Sequence, residues 1–95
     1  MNRLIAAIEH GKVRGFEEIK IINGERYYYQ YALKKINGNY MTYLFFILES
    51  KMDSIENYGN EGIYTFDNLN DAFDYFNKIG INPAFFKGMR GTLPF

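Results

Sequence analysis

One histidine, two serines and no cysteine set the limits of any covalent chemistry in this 95-residue chain. A nucleophilic site needs a hydroxyl or thiol activated by a base, and that base held by a third group. With only His10, Ser50 and Ser54 to draw on, neither a nucleophile triad nor a histidine-rich metal site can be assembled within one chain. His10 falls at the end of a predicted helix, where the helix dipole favours an imidazolium, and it reads as a C-terminal cap. Metal chemistry would therefore fall to carboxylates. Asp67, Asp71 and Asp74 lie within two helical turns, and Asp53, Glu56 and Glu61 lie in a polar stretch. Neither set has the alternating Asp/Asn spacing with a central glycine that a calcium loop requires. Helix capping and solvation account for both sets, and no metal or cofactor is expected.

The glycine pairs are no closer to a phosphate cradle. Gly59-Asn60-Glu61-Gly62 and Gly88-Met89-Arg90-Gly91 lack the Lys-Ser/Thr ending of a phosphate-binding loop, and no helix follows the second. Both read as turns. Lys87 and Arg90, with Phe85 and Phe86 beside them, could touch a phosphate backbone, but two charges make a small footprint. Nucleic-acid binding is the weaker reading. Eleven acidic residues balance eleven basic ones, so the chain as a whole projects no strong field of either sign. The distribution is uneven: Glu49 to Asp74 carries seven acidic side chains against Lys51 alone, a net of −6, and each flank carries +3. Such a segment is either a solvated loop and helix face or a patch that steers a basic partner.

The elements that must position these groups follow from composition and pattern. The apolar share of 47% and the aromatic share of 19% predict a folded chain, and residues 1–95 suffice for a single domain with one core. The absence of cysteine suits a reducing compartment, so the cytoplasm is the expected location. Met1 to His10 has no signal-peptide pattern, and the longest apolar run, Tyr43 to Leu48, is strand-sized; no membrane association is expected.

Asn2 can cap a short helix over Arg3 to His10, stopped by Gly11. Two Asn-Gly pairs, Asn23-Gly24 and Asn37-Gly38, each separate runs rich in β-branched and aromatic residues, and Asn-Gly is the pair that type I′ hairpins select. They predict strands at Phe16 to Ile22, Glu25 to Ile36 and Asn39 to Leu48, with a fourth short strand at Gly62 to Phe66. Asp67 or Asn68 then caps a helix whose apolar stripe is Leu69, Ala72, Phe73, Phe76 and Ile79, and which ends at Gly80. Ala84 to Lys87 reads as one further turn, and Gly88 to Phe95 has no periodic pattern. The expected fold is α+β: a short N-terminal helix, an antiparallel meander of three to four strands, and a C-terminal helix on one sheet face.

Two-residue turns fix the register, so Tyr28 must oppose Ile19 and Ile47, and Tyr31 must oppose Phe16 and Leu44. One face then holds Ile19, Ile21, Tyr28, Ala32, Phe45 and Ile47 together with Glu17, Arg26, Gln30 and Lys34. The other holds Phe16, Tyr27, Tyr29, Tyr31, Leu33, Leu44 and Phe46. The helices are expected on the first face, where Ala32 leaves room, with the reverse arrangement as the alternative. Tyr27, Tyr29 and Tyr31 would then form an exposed patch suited to a partner, because each ring contributes contact area while its hydroxyl stays wet. A homodimer, or plain cross-strand packing, would use the same rings.

The segment Ile63 to Phe76 (IYTFDNLNDAFDYF), a short strand entering an acidic-capped helix, together with the Tyr-, Asn- and Ile-rich hairpins, resembles the small immunity proteins that neutralise bacterial contact-dependent or polymorphic toxins. The resemblance implies a non-enzymatic inhibitor that covers the active or substrate-binding surface of a toxin domain. Its acidic groups Glu56, Glu61, Asp67, Asp71 and Asp74 would stand where a nucleic-acid substrate would lie. A phage-encoded inhibitor of host defence has the same texture and is the alternative, with a homodimeric structural or regulatory domain behind it.

Overall fold

The computed structural model describes residues 2–52 and 59–89. Along them run α1 (Asn2–Glu9), β1 (Arg14–Ile22), β2 (Glu25–Ile36), β3 (Asn39–Leu48), a 3-10 turn at Glu49–Lys51, β4 (Asn60–Phe66), α2 (Leu69–Lys78), a 3-10 turn at Pro83–Phe85 and β5 (Lys87–Gly88). The architecture is α+β, with one antiparallel sheet in the order β4-β3-β2-β1-β5. No described helix is long and apolar enough to cross a membrane.

Both hairpins close as the Asn-Gly pairs require. Asn23 and Asn37 each have φ of 52°, and Gly24 and Gly38 have φ of 80° and 82°. Two successive left-handed residues make a type I′ turn, whose twist matches that of the strands it joins. The register follows: Tyr28 lies against Ile19 and Ile47, and Tyr31 against Phe16 and Leu44. β4 adds to β3 with Ile63 beside Tyr43, and it begins at Asn60, two residues before the predicted start. Asn60 and Glu61, expected in a turn, are therefore strand residues opposite Phe46 and Phe45, and Gly62, the predicted first residue of the strand, lies opposite Leu44.

The helices start and stop by local devices. The Asn68 side chain accepts from the Asp71 amide at 2.9 Å, and its own amide donates to the Asp71 carboxylate at 3.1 Å. This is a reciprocal cap in which the second bond closes on a side chain. At the other end, Gly80 (φ 85°) lets the Ile81 amide donate back to the Phe76 carbonyl at 2.8 Å. Gly11 (φ 81°) does the same for α1, with Lys12 donating to Ala7 at 3.0 Å.

The helical layer lies on the face that carries Tyr31 and Leu33, which reverses the expected placement. Leu4 and Ile8 of α1 and Ala72 and Phe76 of α2 form one core with Tyr31, Leu33, Tyr40, Ile81 and Phe86. The physical reason lies in the other face, where helices would have buried Glu17, Arg26, Gln30 and Lys34 away from water. On the covered face the polar groups find partners. The Tyr31 hydroxyl donates to Glu18 at 2.8 Å, Lys20 sits 4.8 Å from the centre of the Tyr29 ring, and buried Thr42 donates to the Tyr64 carbonyl at 3.3 Å. Phe86, from the segment read as one further helical turn, packs edge-on against Phe76 at 4.8 Å. β5 then runs beside Arg14 and Gly15 as a fifth strand. A two-residue pairing leaves no alternation to read, so its existence depends on the chain returning to the β1 edge.

Candidate interaction surface

The sheet face turned away from the helices carries Ile21, the most exposed large apolar side chain of the described strands, while Tyr64 and Ile22 are exposed on the helix side. Ile21 is 69% exposed, Ile19 44% and Ile63 40%. Ile19 is fixed beside Tyr28, which separates it from Ile47 of β3, and Ile21 lies one alternation further along, beside Arg26. Phe45 meets the Tyr28 ring edge-on at 6.4 Å and stacks with Tyr43 at 6.4 Å and 3°. These rings stand half-buried or buried among their neighbours, so the face is a firm platform with isoleucines projecting from it.

Gln30 stands in the middle of the face, between Glu17 and Phe45, and several other polar groups have partners. The Tyr43 hydroxyl donates to Glu61 of β4 at 3.2 Å. Burial, with Glu61 adding to it, pushes the Tyr43 phenol up to about 12. Burial likewise pushes the Tyr28 phenol up to about 12, with the Glu17 carboxylate beside it contributing. Both phenols therefore keep their protons at neutral pH and remain hydrogen-bond donors. Arg26 Nε meets Glu49 at 3.0 Å at the hairpin end of the face. The arrangement can bury apolar surface while offering a few directed hydrogen bonds, the combination found at protein interfaces.

The residues singled out from sequence are dispersed. Tyr31 is 2% exposed and belongs to the core, so it presents no surface; Tyr29 stacks on Phe46 at 5.0 Å, and Tyr27 is half-buried near the hairpin end. The expected row of three tyrosines on an open face is thus replaced by the isoleucines of the opposite face. Glu61 is exposed on the isoleucine face, whereas Asp67, Asp71 and Asp74 are exposed at α2, in the layer across the sheet, so the acidic groups do not share one surface. Glu56, Asp53, Ser54, Arg90 and Gly91 lie outside the described residues. His10 is exposed just past α1, and Ser50 is exposed in the first 3-10 turn. Lys87 is exposed with Phe85, but Phe86 is buried, which removes one ring of the suggested phosphate-contact group.

Two surface depressions accompany the face. One of about 360 Å³ is lined by Gly24, Glu25, Arg26, Leu48, Glu49 and Ser50, where Arg26 and Glu49 already satisfy each other. Another of about 430 Å³ is lined by Gly15, Phe16, Glu17, Lys87, Gly88 and Met89. Among the described residues, no group of three or more His, Cys, Asp or Glu side chains is placed to hold a metal ion.

Sequence reasoning missed a polar cluster on the helix side of the sheet. Glu9 accepts from Tyr40 at 2.5 Å and from Lys35 at 3.0 Å. The Tyr40 hydrogen bond, then that of Lys35, holds the Glu9 carboxyl below its ordinary value. Lys35 and Tyr40 are opposite one another on β2 and β3, but only the docking of α1 brings Glu9 to them. No protein-family model, curated protein or solved structure matches the chain, so the functional argument rests on this geometry.

Proposed function

We propose that the chain is a non-enzymatic binding protein, and that it acts as an immunity-type inhibitor which occludes the working surface of a toxin domain in the cytoplasm. The observation that carries this reading is the set of exposed isoleucines, Ile19, Ile21 and Ile63, on the sheet face without helices. Burying the part of such a side chain that is still exposed is worth on the order of 1–2 kcal/mol, most at Ile21. Ile19 and Ile21 stand on β1 and Ile63 on β4, with the rings of Tyr28, Phe45 and Tyr43 between them, and exposed apolar surface of this kind marks a contact site more often than an idle one.

Glu17 and Glu61 lie on the same face, so a basic surface shaped to grip nucleic acid would meet carboxylates there. The resemblance of Ile63 to Phe76 to immunity proteins, and a cysteine-free composition suited to a reducing compartment, point the same way. An anti-defence inhibitor would use the same face against a host enzyme and differs only in its target.

The test is affinity capture from the native host followed by mass spectrometry, run with the wild type and with an Ile21→Asp, Ile63→Asp variant shown by circular dichroism to be folded. A species held by the wild type, released by the variant, and inhibited in its own activity by stoichiometric chain supports the reading. Equal capture by both proteins removes the isoleucine face from it. A captured enzyme whose activity is unchanged removes the inhibitory role.

A further inference from the structure

We propose that the outer edge of β1 pairs with the same edge of a second copy, about a two-fold axis at Ile19, to form a homodimer with one continuous sheet. This goes beyond the reading above: it concerns the backbone edge of the strand and not the sheet face, and Ile19 and Ile21 border both. β5 covers β1 only at Arg14 and Gly15, and no described strand pairs with its outer side from Phe16 to Ile22. In a type I′ hairpin the closing pair, here Ile22 and Glu25, exchanges both backbone hydrogen bonds. Even-numbered residues of β1 therefore bond to β2, while Glu17, Ile19 and Ile21 aim their N–H and C=O groups outward. Gly15, in the same phase, already spends its outward groups on Lys87. An open edge of this kind is a template for another strand.

The boundaries of the edge and its charges select the same register. Seven residues whose outer side pairs with no described strand lie between the β5 pairing and the turn at Asn23, and their midpoint is Ile19. With the axis there, Ile19 faces Ile19 of the second copy, Glu17 faces Ile21, and Phe16 faces Ile22. All the outward backbone groups of Glu17, Ile19 and Ile21 find partners. On the helix side of the sheet, Glu18 faces Lys20 and Lys20 faces Glu18, which makes two opposite-charge pairs. Sliding the axis to either neighbouring residue sets Glu18 against Glu18 or Lys20 against Lys20, and like charges directly opposite are destabilising. Within one protomer Glu18 and Lys20 are only loosely paired, at 3.8 Å. The free edge of β4 has no such match, because an axis at Ile63 sets Glu61 against Thr65 and Gly62 against Tyr64. The exposed Ile19, Ile21 and Ile22 gain apolar cover in the β1 pairing.

Sedimentation from micromolar to near-millimolar concentration should show a monomer–dimer equilibrium. Glu18→Lys and Lys20→Glu should each weaken it about tenfold, since each turns two attractive pairs into repulsive ones. The double variant carrying both changes should recover wild-type assembly, and mixing the two single variants should yield a heterodimer. Glu18→Lys also loses the Tyr31 hydrogen bond, so a second measurement stands apart from it. The chain has no cysteine, so oxidised Ile19→Cys should give a covalent dimer at concentrations where Ile63→Cys does not. A wild type that stays monomeric throughout, a dimer indifferent to the charge reversals, or equal cross-linking at the two cysteines would overturn the proposal.

Discussion

The sulfur of Met89 occupies the space that a β-carbon on Gly15 would need, and the carbonyl oxygen of Tyr31 crowds the same point from the neighbouring strand. Gly15 lies opposite Ala32, whose Cα would stand 3.0 Å from that carbon. The small side chain at Ala32, read from sequence as room for a helix, instead belongs to a close approach of strand backbones capped by the end of β5. Gly15→Ala should therefore cost about 1–3 kcal/mol, because the clash is with backbone and cannot be relieved by a rotamer change. Chemical denaturation would measure it. A midpoint equal to that of the wild type would show that β1 can shift without loss.

Tyr31 should behave as a core residue with a polar tether. Tyr31→Phe removes the hydrogen bond to Glu18 and should cost about 1–3 kcal/mol. Tyr31→Ala also empties the space beneath α1 and α2 and should cost about 3–5 kcal/mol. Ile21→Ser, at an exposed position, should stay within about 0.5 kcal/mol of the wild type. The order of these three in urea unfolding distinguishes a covered tyrosine face from an open one.

Glu9 sets the acid limit of the α1 docking. Its folded carboxyl lies below the ordinary value because Tyr40 and Lys35 hydrogen-bond to the charged form. A depressed carboxyl contributes stability above its unfolded pKa, and that contribution is lost as pH falls through the folded value. Glu9→Gln should lower the melting temperature at neutral pH and converge with the wild type at low pH. Lys35 is raised, first by its bond to Glu9, so its share persists below its unfolded pKa and fades only as pH climbs through its own folded value. Melting curves of both proteins across pH would show the gap closing at the acid end.

Alkaline titration should resolve the buried phenols. Tyr28 and Tyr43 are pushed up to about 12 and Tyr31 is raised further still, so part of the phenolate absorbance should appear late and together with unfolding. A raised phenol stabilises the fold below its unfolded pKa and loses that contribution as pH rises through the folded one. Glu61→Gln should bring Tyr43 part of the way back, because burial is the larger cause and remains. Unchanged late absorbance in Glu61→Gln would show that the hydrogen bond contributes nothing to the shift.

Charge should govern the approach of a basic partner more than the strength of its grip. Glu61→Gln with Glu17→Gln should slow association at low salt and flatten its salt dependence, with a small effect on dissociation. Glu61 also accepts from Tyr43 and Glu17 stands beside Tyr28, so the fold must be checked by melting first. Association rates that match the wild type at low ionic strength would dismiss steering by these groups.

Features that depend on a few neighbouring residues are legible in the amino-acid order. Asn23-Gly24 and Asn37-Gly38 dictate left-handed turns, and with them the whole register of the three long strands, because a two-residue turn leaves no freedom in pairing. Asn68 and Gly80 bound α2 for equally local reasons, each satisfying backbone groups within one turn. Which sheet face the helices cover emerges only from packing across the whole fold, since both faces are largely apolar and alternation cannot rank them. The choice turned on a long-range comparison: the cost of burying Glu17, Arg26, Gln30 and Lys34 together, against a face whose Glu18, Thr42 and Tyr31 could satisfy their polar atoms in place. The meeting of Glu9 with Tyr40, the burial of Phe86 and the return of Lys87 to the β1 edge were invisible for the same reason. Each joins residues far apart in the chain, and no nearest-neighbour preference encodes such a contact.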